Sequence, residues 1–296
     1  MIGIVTTDLS AFPFGDEDLP HLFEALDAAG LEARALHWRD DDIDWGAYDL
    51  AVLRSPWDYP FQVEDFLAWT RRVAGVTTLA NPAPVVAWNS DKRYLAELAA
   101  NGVATVPTRY ATNPAELGTA LVAARAGSPS GELVVKPSVS AGSDLTGRFG
   151  VDDPAASVLV ERIWAAGKVA MVQPYLPSVG RRGELAVMHI DGVYSHAVRK
   201  GPILDSDGRL LGGSYREDIE AAVPSERERA AADDVLARLP GWVTEAGPLL
   251  YARIDLVEAD DGSLALLELE LIEPSLFFPA VPAAAGRLAA AIASRV

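Results

Sequence analysis

Three acidic residues in the last third of the chain carry its strongest chemical signal. Asp255, Glu268 and Glu270 lie in two strand-like runs, Leu249–Glu258 and Ser263–Ile272, on either side of Asp261-Gly262. Asp-Gly between alternating runs favours a hairpin, because a tight I′ turn needs positive φ at both centres. A two-residue loop sets Asp260 against Ser263, so Asp255 faces Glu268 and Arg253 faces Glu270. An even change of loop length keeps those residues on one face and only an odd one separates them, since side chains alternate with period two. Ile254, Leu256, Leu267, Leu269 and Leu271 fall on the other, core-facing side. Carboxylates gathered in this way repel one another and raise each other's pKa unless a cation bridges them. Oxygen-only ligands on a rigid sheet suit magnesium, which keeps its other positions for water and phosphate oxygens. The alternative is a solvated acidic face with Arg253 as counter-ion, although Val257 and Leu266 on the same face are unusual for a wet surface.

A second hairpin, Gly183–Lys200, turns at Asp191-Gly192. Pairing Ile190 with Val193 and counting outward sets Glu184 against Arg199, at the end of a face filled by Ala186 and Met188. That pair is either part of a site or an ordinary cross-strand ion pair worth about 0.2–1 kcal/mol. Two lysines complete the set. Lys136 ends the apolar run Leu133–Lys136 and is followed by Ser138–Gly147, where Ser138, Ser140 and Gly142 would let backbone N–H groups approach phosphates. Lys92 lies in the first turn of a helix over Asp91–Ala100 that Ser90 would cap, a position where a lysine does not favour the helix dipole. No Gly-Lys-Ser/Thr closes the Ser/Gly loop, so it is not a Walker A loop. The four histidines show no metal spacing, and no nucleophile elbow or dinucleotide fingerprint is present.

The elements that must hold these groups divide the 296 residues into three. Residues 1–84 read as α/β: strands at Ile2–Thr6, Ala33–Trp38 and Asp49–Leu53 alternate with helices at Asp18–Ala29 and Val63–Val73. Residues 85–172 hold the Lys92 helix and then strand, helix (Pro114–Arg125), strand, loop and helix (Pro154–Ala166), the next strand running on to Tyr175. Residues 173–296 carry the two hairpins, expected as an antiparallel sheet with helices on one side. The fold class is therefore α/β followed by α+β. A net charge of −17 excludes the basic footprint of a nucleic-acid binder, and no apolar run reaches the length of a membrane span. Cysteine is absent, which removes disulfides and thiolate chemistry, and no basic segment precedes an apolar one at the start. The expectation is a cytoplasmic protein.

In order along the chain, Asn81-Pro82, Asn89-Ser-Asp-Lys92, Val106-Pro-Thr108, Val134-Val-Lys136-Pro137, Val172-Gln-Pro-Tyr-Leu176, Gly183-Glu-Leu185, Arg199-Lys200, Asp255 and Glu268-Leu-Glu270 resemble the ATP-grasp superfamily. The resemblance implies an N-terminal α/β domain, a small lid subdomain and a C-terminal antiparallel-sheet domain. It implies that Lys92 and Lys136 contact ATP phosphates beneath the loop bearing Ser138, Ser140 and Gly142. Gln173, Pro174, Tyr175 and Leu176 would read the adenine, with Glu184 joining the nucleotide site. Asp255, Glu268 and Glu270 would hold two magnesium ions, and Arg199, with Lys136, would stabilise the transferred phosphoryl group. Many members have Glu-x-Asn where this chain has Glu268-Leu269-Glu270, which makes Glu273 a competing ligand.

Arg54-Ser-Pro-Trp-Asp-Tyr59 and Glu268–Leu276 resemble the branch that includes D-cycloserine-forming cyclo-ligases, which work in antibiotic biosynthesis and close O-ureido-D-serine into a ring. That resemblance implies a small amino-acid-like substrate contacted by Arg54, Trp57, Tyr59, Glu273 and, in a Gly-rich segment, Tyr215 and Arg216. A bimolecular carboxylate–amine ligase is the alternative within the superfamily, and a non-catalytic nucleotide-binding protein the alternative outside it. A homodimer is a common assembly in the superfamily.

Overall fold

The computed structural model describes residues 1–11, 15–128, 130–142, 144–201, 218–245, 247–259 and 261–296. Its first unit is a parallel four-stranded sheet. The strands β1 (Ile2–Thr6), β2 (Ala33–His37), β3 (Leu50–Ser55) and β4 (Thr78–Ala80) take the order β2-β1-β3-β4. The helices α1 (Asp18–Ala28), α2 (Val63–Ala74) and α3 (Ala83–Asn89) accompany them. Alternation along the central strands sends Ile2, Ile4, Leu50 and Val52 to one core with Leu22 and Leu26 of α1. Val5, Ala51 and Leu53 go to another, with Phe66 and Trp69 of α2 and with Trp38 and Trp45.

A short α4 (Tyr94–Ala100) leads into the middle unit: β5 (Arg109–Ala111), α5 (Pro114–Gly127), β6 (Glu132–Pro137), β7 (Gly147–Gly150), α6 (Ala155–Ala165) and β8 (Ala170–Pro174). Its sheet is antiparallel, in the order β5-β8-β6-β7. Leu133, Val135 and Val172 pack there on Leu117 and Ala120 of α5 and Leu159 and Ile163 of α6. Two local expectations change. Ser90 ends α3 instead of capping the next helix, and Asp91 accepts the Arg93 N–H, so Lys92 sits just ahead of α4 and not in its first turn. The Ser/Gly loop ends in a strand, β7, that composition did not announce.

After α7 (Pro177–Arg182), the third unit is a five-stranded antiparallel sheet. It comprises β9 (Glu184–Ile190), β10 (Val193–Lys200), β11 (Ile219–Ala222), β12 (Tyr251–Glu258) and β13 (Leu264–Glu270), in the order β11-β10-β9-β12-β13. α8 (Glu226–Ala237) and α9 (Ala283–Ala293) complete it. Both faces are covered, not one. Ala186, Met188 and Val198 meet the cores of α1 and α9, while Leu185, Val187, Ile254 and Leu256 meet α4 and α8.

The strand β13, which carries Glu268 and Glu270, lies at an edge of this sheet; the backbone of Ala104 and Val106 pairs with Leu266, and side chains close the edge beyond it. Asn89 donates to Leu269 O and accepts from Leu271 N, at 2.9 and 2.8 Å. The Tyr94 hydroxyl meets both Leu269 O and Leu269 N, at 2.8 and 2.9 Å. Asn81 adds bonds to Tyr251 O, Leu271 O and Leu250 N. Asn89 and Tyr94, with Asn81 at Leu271 O, thus satisfy groups that an edge strand and its extension would otherwise leave open, while Asn81 also binds the start of β12.

Candidate active site

Register decides which charges meet. In the β12–β13 hairpin Arg253 pairs with Glu270 and Asp255 with Glu268, as the sequence implies, but by a different route. Near the turn Glu258 pairs with Leu264, an odd offset, and Leu267 bulges out to restore the count. Leu266 consequently takes the core place expected for Leu267. In the β9–β10 hairpin nothing compensates. Val193 pairs with Ile190, Ser195 bulges, and from there Arg199 faces Leu185 while Lys200 faces Glu184.

This corrects the expected Glu184–Arg199 pair. Arg199 points to the far face, where it bonds Glu228 of α8 at 3.3 Å and Arg182 O at 3.2 Å. Lys200 takes its place, 2.8 Å from Glu184 and 2.7 Å from Asp255. Gly183 is fixed by the same geometry: at φ +67° any Cβ would stand 2.0 Å from Lys200 O.

Around Lys200 the charges interlock. Arg253 bonds both oxygens of Asp255, at 3.0 and 2.9 Å, and also Glu270. Lys92 Nζ meets Glu268 at 3.2 Å and donates to Ser140 O at 2.9 Å. Its backbone N–H binds Ser138 O at 2.7 Å, which ties the Ser/Gly loop to the carboxylate sheet. Lys136 has no ion pair or hydrogen bond among the described residues, and the Ser138 hydroxyl is buried without a partner.

The electrostatics follow burial first and neighbours second. Burial opposes the Asp255 charge, but Arg253 and Lys200 hold its pKa below the ordinary value. Glu268 behaves alike under Lys92 and Lys136. Burial raises Glu270 to about 7, with Glu268 and Asp255 adding to the rise against the pull of Arg253. Burial and Glu270 raise Glu273 to about 8, beside the Tyr59 hydroxyl. Lys92 stays above its ordinary value despite burial because Glu268, Glu270 and Glu273 surround it. Lys136 is lowered, because burial, with Lys92 and Lys200 nearby, outweighs the pull of Glu268 and Glu184.

Four cations (Lys92, Lys136, Lys200 and Arg253) therefore face five carboxylates (Glu184, Asp255, Glu268, Glu270 and Glu273). The carboxylates are spread over these partners, and among the described residues no three converge as a preformed metal cluster. The raised Glu270 and Glu273 mark an excess of negative charge that an added divalent cation would relieve. The bare Lys136 and the orphaned Ser138 hydroxyl mark donors that an anion would satisfy. The donor set thus fits magnesium and a polyphosphate.

The remaining predicted residues fall nearby. Gln173 is buried and donates to Thr108 Oγ1 at 2.8 Å, and Pro174 closes β8. Tyr175 lies under the Arg148 guanidinium at 3.6 Å, with Leu176 leading into α7. Gly142 has a positive φ of +61°. Trp57 Nε1 donates to Glu273 O at 3.3 Å, and Tyr59 is buried beside Glu273. Arg54 is only 1% exposed; its Nη2 donates to Asp18 and Pro274 O at 3.2 and 2.9 Å, while its Nε and Nη1 are buried without a hydrogen-bond partner among the described residues. Tyr215 and Arg216 lie outside the described residues. Sequence reasoning missed Lys200, whose only signal was its place next to Arg199, and treated Arg253 as a counter-ion alone.

Comparison with known proteins agrees with this geometry. Residues 2–81 match the N-terminal domain family of D-cycloserine synthetase DcsG. The chain is 38% identical over 297 residues to the cycloserine biosynthesis protein DcsG of Streptomyces lavendulae, covering 99% of this chain and 98% of that one. The crystal structure of D-cycloserine synthetase DcsG superposes with a TM-score of 0.88 at 38% identity, covering 99% of both chains. The ATP-grasp ligase PsnB, solved with a phosphomimetic precursor variant, Mg and ADP, shares the fold at a TM-score of 0.65 and 18% identity, over 100% of this chain and 98% of that one.

Proposed function

The chain belongs to the D-cycloserine synthetase family of ATP-grasp ligases, and from that premise we propose that it converts O-ureido-D-serine to D-cycloserine with Mg-ATP at the Lys92–Lys136–Lys200–Arg253 site. It is an ATP-dependent ligase. The observation that carries the reading is the meeting of Lys92, Lys200 and Arg253 with Glu268, Asp255 and Glu270 where the Ser/Gly loop abuts the carboxylate sheet, with Lys136 close by and unpaired among the described residues.

In this reading Lys136 and Lys92 receive the phosphates, with Ser138 and Ser140 beside them, and Gln173–Leu176 lie along the adenine. Lys200 and Arg253 face the transferred phosphoryl group, a place where positive charge acts in a desolvated setting. Glu268 and Glu270, with Asp255, would hold the magnesium, two ions in this reading, which when bound would supply positive charge to offset that of the phosphates. The substrate carboxylate takes the γ-phosphoryl group, releasing ADP. The oxygen-linked nitrogen of the ureido group then attacks the acyl carbon, the C–N bond forms, and phosphate leaves with the C–O bond. The attacking nitrogen gives up its proton, and water then removes the N-carbamoyl group as carbamate, which breaks down to carbon dioxide and ammonia, leaving the free ring. Nucleophile and electrophile share one molecule, so closure gains from proximity.

The test is ADP release with Mg-ATP and O-ureido-D-serine as sole substrate. Turnover lost in Lys136→Ala and Glu268→Ala supports the cyclo-ligase. Turnover only with an added amine would move the protein to the bimolecular ligases, and tight Mg-ATP binding without release on any carboxylate would oppose the enzyme reading.

A further inference from the structure

Residues 272–278, which follow β13, belong to no helix or strand. Side chains hold their backbone instead. The Tyr251 hydroxyl lies 2.8 Å from Ile272 O, and Trp57 Nε1 donates to Glu273 O at 3.3 Å. Arg54 donates to Pro274 O at 2.9 Å and Arg253 to Ser275 O at 3.4 Å. His196 Nε2 binds Leu276 O at 2.7 Å, its other nitrogen facing Ser195 Oγ at 2.9 Å. Five consecutive carbonyls go to five side chains.

Asp18, at the start of α1 and 3% exposed, takes the N–H groups. Its Oδ2 accepts from Leu276 N at 2.6 Å and its Oδ1 from Phe278 N at 2.7 Å, while Arg54 steadies Oδ2 at 3.2 Å. Water would satisfy a surface loop's backbone at no such cost, whereas a buried carboxylate and guanidinium are expensive to place. Such an outlay fits a segment whose position matters. The side chain it sets in place is Glu273, facing Tyr59 and Glu270.

We propose that Asp18 is a positioning residue for the substrate: by gripping Leu276 and Phe278 it fixes Glu273 against Tyr59, where the amino-acid-like molecule is received. This rests on the ligase reading above, and it assigns to α1 of the N-terminal unit a part in substrate selection that leaves nucleotide binding untouched.

The test is Asp18→Asn, close in shape but without the charge. The expected result is a rise of roughly tenfold or more in KM for O-ureido-D-serine, with KM for ATP unchanged within about twofold. Amide exchange at Leu276 and Phe278 should quicken by a similar factor while β8 amides keep their protection. If both KM values move together with the loss of folded protein, or neither moves, the proposal is overturned; unchanged exchange at the two amides also overturns it. Should Asp18→Asn fail to fold, Arg54→Lys keeps the charge but loses the planar fork, and carries the same expectations. If the wild type turns over no O-ureido-D-serine the substrate reading falls, and the positioning proposal then stands or falls on the exchange measurement.

Discussion

Replacing Lys200 by methionine should damage this protein far more than replacing Arg199. Lys200 is 4% exposed and is shared by Glu184 and Asp255 at 2.8 and 2.7 Å, so its loss leaves buried carboxylate charge uncompensated. Breaking a buried pair in this way costs about 3–5 kcal/mol. At a few degrees per kcal/mol, Tm should fall by on the order of 10 °C. The Arg199 side chain is 41% exposed and meets Glu228 at 3.3 Å, so Arg199→Met should cost at most about 1 kcal/mol. Turnover should separate the two further. On the proposed role of Lys200 at the transferred phosphoryl group, Lys200→Met should lose roughly 10²-fold or more in kcat, whereas Arg199→Met should stay within a few-fold. Scanning calorimetry together with coupled ADP release at saturating Mg-ATP reads both. An Arg199 variant that is inactive beside a Lys200 variant that works would refute the bulge-shifted register and the site built on it.

The metal-free protein should lose stability as pH rises. Glu270 and Glu273, at about 7 and about 8 against an ordinary 4.5, keep protons in the folded state that the unfolded chain has already released. Their contribution is complete below about pH 4.5 and fades as pH climbs through 7 and 8, by on the order of 3–5 kcal/mol for each group taken alone. Melting curves from pH 5 to 8.5 in EDTA should slope downward and flatten with Mg²⁺; a flat metal-free profile would contradict the assignment. Lys136→Met should change the apo melting temperature less than Lys92→Met, because it removes a desolvated cation with no direct ion pair as well as a charge that steadies Glu268, and should abolish stabilisation by ATP. Lys92→Met should instead lower apo stability, since Glu268 loses its partner. Asn89→Ala should cost about 2–4 kcal/mol by stranding backbone groups around Glu270 and should weaken Mg²⁺ binding measured by titration calorimetry.

Much of this fold was legible because periodicity reports faces. The short apolar runs of β1 and β3 and the helical spacing of α1 pointed to a parallel α/β unit, while the three-residue β4 and the short α3 were not legible. The carboxylate face of β12–β13 also came out correctly, though through two departures that cancel: an odd offset at the turn and a bulge at Leu267. The β9–β10 hairpin has the bulge without the compensating turn, so the same counting chose Arg199 over Lys200. A bulge is one residue long, and Ser195 carries no composition that betrays it. Asp18, Asn89, Tyr94 and His196 were equally hidden as positioning groups. Their partners are backbone atoms some 80 to 260 positions away, and backbone atoms have no sequence identity to match.

The closing of the β13 edge by Asn89 and Tyr94 has a bearing on how the protein behaves in company. A strand with open N–H and C=O groups is a template for another chain, and here that strand carries Glu268 and Glu270. Two short helices that occupy the ladder let the carboxylates sit at a sheet margin, within reach of solvent-borne ligands, while denying the margin to a neighbouring molecule. The residues that keep β13 in place are thus also its guard against self-association, and solubility at high concentration should fail at the same substitutions that loosen the site.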